Sequence, residues 1–219
     1  MGDHGQRRNG SDGAPTPCIL RLTQHGPSIR VVRTLVPILR EDGVVVVPTD
    51  TIYGFSARLD RIAARRRIRA IKKSERDDSM VSLVSGLEMA YRYAEPPHGS
   101  CQDLLRKYWP GPLTAILRAR PHVPTELCGP GDTLAFRWPD SPFLQALLGA
   151  LAVPLVSTSA NRSGEPPIPA FDDLVAAFGA EVDALVDGGV HAGHASTIVD
   201  LTGLEPVLRR RGSLDIDLH

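Results

Sequence analysis

Val44-Val45-Val46-Val47-Pro48-Thr49-Asp50-Thr51-Ile52-Tyr53-Gly54-Phe55 carries the strongest structural signal in this chain. Four consecutive β-branched residues are apolar on both faces of an extended backbone. They predict a strand buried in the middle of a sheet, with no wet face. Pro48 ends the run because it has no N–H to give to a ladder. The residues beyond it are polar: two threonines flank an acid, and Tyr53-Gly54 follows. Strand ends are where open α/β sheets bind ligands. Hydroxyls and backbone N–H groups at this end suit a carboxylate or a phosphate, and they equally suit a Thr/Asp-capped turn.

Working outward, Ile29, Val32, Leu35, Val36 and Leu39 fall at helical spacing, which predicts a helix over 28–41. Pro37 should kink or shorten it, and Gly43 should close it. On the other side, Asp60 is a plausible N-cap for a helix reaching about Lys73. That helix is basic, with Arg61, Arg65, Arg66, Arg67, Arg69, Lys72 and Lys73. Strands are expected over 80–84, 113–117, 133–138, 153–157, 184–186 and 197–201, with 207–210 pairing at an edge. Helices are expected over 87–94, 101–108, 141–151 and 171–178. Interleaved strands and helices predict an α/β fold: a single domain whose twisted, mixed parallel and antiparallel sheet is flanked by helices.

The bulk numbers agree with one such domain. The chain has 219 residues, enough for one full core. Lys+Arg and Asp+Glu both number 25, so a globally basic nucleic-acid binder is not indicated and any positive patch must be local. Cys18, Cys101 and Cys128 are an odd, scattered set, which argues against a disulfide framework and for a reducing, cytoplasmic compartment. No apolar run approaches the ~20 residues of a membrane span. The first residues are rich in Gly, Asp, Arg and Asn, so residues 1–25 are expected to be a disordered tail and 26–219 the domain.

Three more segments put polar groups at strand or helix ends. Lys72-Lys73-Ser74-Glu75-Arg76-Asp77-Asp78 ends the basic helix and suits either a polyphosphate or solvent. In Trp109-Pro110-Gly111-Pro112-Leu113-Thr114, the tryptophan should pack, the turn should aim the next strand, and Thr114 should reach the sheet end. In Ser157-Thr158-Ser159-Ala160-Asn161-Arg162-Ser163-Gly164, small residues let backbone N–H groups approach an anion, or simply make a turn. The last is neither a Walker A loop nor a nucleophile elbow. His191 and His194 lack a third metal ligand in sequence, so no metal site is assigned. Arg209-Arg210-Arg211 is either a solvated edge or a phosphate contact. No Ser/His/Asp set and no carboxylate pair with recognisable spacing is present.

Taken in order, these segments resemble the YrdC-like family. The matching residues are Thr49-Asp50-Thr51-Ile52-Tyr53-Gly54, Trp109 to Thr114, Arg137-Trp138-Pro139, Ser159-Ala160-Asn161-Arg162-Ser163-Gly164, Ser196-Thr197-Ile198-Val199-Asp200 and Arg210-Arg211-Gly212. Any one motif is weak, but six in the right order, spread over residues 28–213, are strong. The resemblance implies an α/β domain around a positively charged cavity. It implies a nucleotidyltransferase making L-threonylcarbamoyladenylate and pyrophosphate from L-threonine, bicarbonate and ATP, with Mg²⁺ brought by ATP. Downstream tRNA threonylcarbamoyltransferase proteins would place the group on an adenosine of tRNAs reading codons that begin with A. Longer relatives carry an extra C-terminal domain, and the likeness is to the short form.

Carried over residue by residue, the resemblance gives Lys72 and Arg137 catalytic roles. ATP would be bound by Lys72, Arg76, Thr114, Arg137, Ser157, Ser159, Asn161 and Arg210. Threonine would be bound by Thr49, Thr51, Tyr53 and Ser196. One segment departs: where the family pattern reads Lys-x-Arg-Pro…Pro-Leu, this chain has Lys72-Lys73-Ser74-Glu75…Ser79-Met80. Ser74 replaces the arginine, both prolines are gone, and Arg76 is the arginine within reach of the same phosphates. This is similar to the divergence of the YciO-like paralogues. The alternative expectation is therefore a paralogue that mainly binds nucleotide or RNA, with tRNA or double-stranded RNA as its ligand.

Overall fold

The computed structural model describes residues 17–22, 29–74, 80–191 and 193–216. Among them are ten strands in one mixed sheet. They are β1 (Cys18–Arg21), β2 (Val45–Val47), β3 (Gly54–Arg58), β4 (Val81–Leu83), β5 (Leu113–Arg118), β6 (Thr133–Arg137), β7 (Leu155–Ser159), β8 (Ala184–Asp187), β9 (Thr197–Asp200) and β10 (Val207–Arg210). The order across the sheet is β1-β8-β2-β3-β7-β4-β6-β5-β9-β10. Pairs β1/β8, β2/β8, β4/β6 and β5/β9 are parallel, and the other five are antiparallel. The helices are α1 (Ile29–Arg40), α2 (Ile62–Lys72), α3 (Leu87–Tyr91), α4 (Gly99–Tyr108), α5 (Pro142–Leu151) and α6 (Phe171–Phe178).

The valine run behaves as its composition predicts. All of Val44–Val47 is fully buried, with β2 paired on both edges. Helix α1 lays Val31, Val32, Leu35 and Leu39 into the core, each such burial worth about 1.5–3 kcal/mol. The predicted kink does not shorten α1: the helix runs through Pro37 to Arg40. Pro37 and Arg33, whose carbonyl loses its helical partner, are both exposed, so water can take that bond. Gly43 closes the helix by approach rather than by a left-handed conformation. Its N–H bonds Ile38 O at 3.0 Å, and a β-carbon there would lie 2.4 Å from the same oxygen.

Four expectations are corrected. Asp60 does not cap α2; its carboxylate takes the Arg58 guanidinium instead, and Arg61 holds the cap position with no side-chain cap bond. Residues 18–21, assigned to the tail, form β1: Cys18 and Leu20 pack on the core while the backbone pairs in parallel with β8. Strand β7 starts at Leu155, not Val153, because Ala152 ends α5 in the left-handed region (φ 57°) and Pro154 has no N–H to pair. The missed strand β3 is the return leg from β2. Its start, Gly54, lies against Ser157 so closely that a β-carbon would come within 2.5 Å of the serine hydroxyl oxygen.

The register aligns one row of side chains across six strands. Ser56, Ser157, Val81, Ala135, Ile116 and Asp200 are successive cross-strand partners and share a face. The polar members stand at the ends of this row and the apolar ones in its middle.

Candidate active site

A cavity of about 130 Å³ opens where the ends of β2, β3, β6, β7 and β9 converge. Thr51, Ser157, Ser159 and Ser196 contribute hydroxyls to its wall, Arg137 and Arg210 contribute charge, and Val81, Leu83 and Ile198 supply apolar surface. These residues come from both halves of the chain, and the mixed sheet is what brings them together.

Arg137 is the buried cation of the cavity. It ends β6, is 6% exposed, and donates from Nη1 to Thr51 Oγ1 at 3.0 Å. Its Nη2 is ion-paired with Asp50 Oδ1. Burial pushes the guanidinium pKa down, and the adjacent Asp50 charge opposes that push. Arg210, on the exposed edge strand β10, donates to Ser196 O at 2.8 Å. Its pKa is lowered first by desolvation and then by the charge of Arg137, so the two cations feel each other across the cavity.

In the Thr49–Ile52 turn both threonines line the cavity, and their hydroxyls, 3.0 Å apart, are engaged differently. Thr49 is the turn cap: its hydroxyl receives the N–H groups of Thr51 (3.1 Å) and Ile52 (3.2 Å) and donates to Ile52 O (2.7 Å). A hydroxyl has one proton and two lone pairs, so Thr49 has little left for a ligand. Thr51 presents its hydroxyl to Arg137 and to the cavity. Tyr53 also works inward. Its ring is buried, its hydroxyl donates to Gly189 O (2.7 Å) and accepts from Gly188 N (2.9 Å), and His191 packs edge-on against it at 4.9 Å. Tyr53 thus ties down the strand-end strap that leads to Ser196; it lines the cavity, but its hydroxyl is turned to the protein.

Lys72 and Asn161 stand behind the cavity wall, not in it. The Lys72 ammonium is buried and donates to Ser159 O (2.8 Å), Asn161 O (3.1 Å) and Asn161 Oδ1 (3.3 Å). Asn161 Nδ2 donates to Arg162 O (2.7 Å) and Glu165 O (2.6 Å). Both side chains therefore shape the end of β7 at Ser159 and the turn that follows it. Ser157 faces the cavity and accepts from Ser56 Oγ at 3.2 Å. Thr114 is fully buried behind Ser196, the two hydroxyls 2.7 Å apart. Trp109 packs as expected, at 6% exposure, with its indole N–H on Leu113 O at 2.7 Å. Arg76 lies outside the described residues, as do residues 75–79 as a whole.

Asp50 is the contact that sequence reasoning passed over. The signal was present, an acid between two threonines at a strand end, but its partner is on β6, far along the chain. Gly212 has a similar hidden role. A β-carbon there would lie 2.2 Å from Ala195 O, so only glycine lets the chain leaving β10 cross the backbone of residues 195–196.

Comparison with known proteins identifies the family. The family model described as Sua5/YciO/YrdC, "Telomere recombination", matches residues 37–212. This chain belongs to that family. It is 31% identical over 188 residues to a threonylcarbamoyl-AMP synthase of Pyrococcus abyssi, covering 85% of this chain and 55% of that protein. The chain spans about half the length of the curated relatives it matches. The structure of P. abyssi Sua5 complexed with L-threonine superposes with a TM-score of 0.79 at 30% identity, covering 89% of this chain and 57% of that one. The structure of E. coli YciO gives 0.83 at 27% identity, covering 91% and 97%.

Proposed function

We propose that this chain is an L-threonylcarbamoyladenylate synthase, a nucleotidyltransferase acting on L-threonine, bicarbonate or CO₂, and ATP. The observation that carries the reading is the pair Arg137 and Arg210 facing a small hydroxyl-lined cavity whose wall draws on five of the six ordered motifs, with Thr114 of the sixth directly behind Ser196. The P. abyssi relative complexed with L-threonine supports it.

The reaction asks for positioning and charge neutralisation, with no covalent enzyme nucleophile. The threonine amine adds to CO₂, giving a carbamate. A carbamate oxygen attacks the α-phosphorus of ATP, and pyrophosphate leaves. In this reading Arg137 meets the carboxylate or carbamate, with Thr51 and Ser196 completing the threonine contacts. Ser157 and Ser159 present hydroxyls to the nucleotide, and Arg210 offsets phosphate charge. Lys72 and Asn161 act through the loop they hold. Among the described residues no group of three or more His, Cys, Asp or Glu side chains converges. Mg²⁺ would arrive with ATP and be held mainly by phosphates and water. The product would pass to tRNA threonylcarbamoyltransferase proteins in the cytoplasm. Among the described residues no helix is long and apolar enough to cross a membrane.

A second reading is favoured by one observation. The E. coli YciO match spans nearly all of that chain, and the residue at the family arginine position is Ser74. On that reading the cavity binds nucleotide or RNA without this turnover. Pyrophosphate release measured with and without threonine and bicarbonate separates the two. Release that needs both supports the synthase; ATP or RNA binding with no release supports the second.

A further inference from the structure

The pair Asp50–Arg137 is built in an unusual way. Both side chains are at least nine-tenths buried, yet only one guanidinium nitrogen meets one carboxylate oxygen. Asp50 Oδ2 and Arg137 Nε are buried with no hydrogen-bond partner. A buried pair chosen for stability alone would close bidentately, because each orphaned polar atom carries a desolvation cost. The partners are nonetheless held firmly. The Thr49 hydroxyl fixes the turn that carries Asp50. Thr51 takes the second Arg137 nitrogen. The backbone at Gly193 lies so close over Thr51 that a β-carbon would sit 2.4 Å from its carbonyl oxygen.

Charge counting gives the arrangement a purpose. The cavity wall carries two guanidiniums, Arg137 and Arg210. With Asp50 against Arg137, the three groups sum to one positive charge instead of two. A site with two uncompensated cations, one of them the buried Arg137, would hold a polyanion tightly and release it slowly. We propose that Asp50 is a positioning residue that orients Arg137 toward the amino-acid substrate and, by offsetting its charge, keeps the cavity from retaining the pyrophosphate product. This rests on the synthase reading above.

The test measures inorganic pyrophosphate binding by calorimetry alongside steady-state kinetics, with melting temperatures recorded for every variant. Asp50→Asn preserves shape and removes the charge. It should bind pyrophosphate about tenfold tighter, and kcat should fall with KM for ATP unchanged or lower, as slowed product release requires. Asp50→Glu keeps the charge and should bind pyrophosphate like the wild type while turning over more slowly. The double variant Asp50→Asn/Arg137→Gln restores the original net charge with a neutral pair. It should bring pyrophosphate affinity back to within about threefold of wild type while losing threonine affinity, and it decides the matter if the single variant does not fold. Unchanged or weaker pyrophosphate binding by folded Asp50→Asn, or strongly weakened binding by the double variant, would overturn the proposal. If neither the wild type nor Asp50→Asn binds pyrophosphate, the assignment of this cavity to phosphates is wrong, and the proposal falls with it.

Discussion

Lys72 is the residue whose role differs most from a simple charge count. Its ammonium makes three bonds to the 159–161 loop. Lys72→Met should therefore strand buried carbonyls and cost about 1–3 kcal/mol of stability. ATP affinity should drop about tenfold as the loop loses its shape, with threonine affinity little changed. Chemical denaturation and calorimetry check both parts; equal losses for both ligands would place Lys72 in the cavity itself. At this scale the segments singled out in the sequence do converge, but their polar atoms are engaged to different degrees by the protein itself. Thr49, Thr51, Tyr53, Ser157, Ser159, Arg137, Ser196 and Arg210 line the cavity, with the Thr49 and Tyr53 hydroxyls fully engaged by the protein, while Thr114 and Asn161 stand behind the wall. Residue type and spacing do not show where a hydroxyl is already engaged, because that depends on partners from other strands.

At the scale of elements, α1 and α2 each carry a residue that sits badly with its surroundings. Pro37 is exposed inside α1 and donates no helical bond. Pro37→Ala should raise stability by about 1–3 kcal/mol, read as a higher denaturation midpoint with turnover unaffected. Arg65 occupies the inward stripe of α2 with Ala64, Ile68 and Ile71. It is 9% exposed, its Nη1 donates to Glu126 O at 3.0 Å, and its Nε has no partner. Desolvation, then the nearby Arg69 charge, lowers its pKa. A buried guanidinium held by a neutral carbonyl costs more desolvation than it recovers. Arg65→Met should thus leave the denaturation midpoint equal or higher; a clear fall would mean the bond to Glu126 O anchors the 125–127 turn. Periodicity found α1, α2, α5, α6 and most strands because their apolar stripes are strong. It missed β1, four residues with the apolar Ile19 on its exposed side, and β3, where Ser56 and Arg58 alternate with Phe55 and Ala57, and it misplaced Asp60 because a competing Arg58 partner lies two residues away.

For the whole molecule, the α/β class was legible from alternating elements, but the strand order was not. Nothing local states that β3 and β7 are neighbours, or that β9 runs parallel to β5. Those long-range pairings place Thr51, Ser157, Arg137 and Ser196 around one cavity, and they became expected only through the order of six short motifs. The central claim is that this cavity joins threonine, bicarbonate and ATP. The direct measurement is pyrophosphate released from ATP by the purified full chain, with threonine and bicarbonate omitted singly and together, and with Arg137→Ala as the control. Release is expected only when both are present, with a loss of about a hundredfold or more in Arg137→Ala, on the order expected for removing a charge-stabilising contact. Release indifferent to threonine, or undiminished in Arg137→Ala, would contradict that claim.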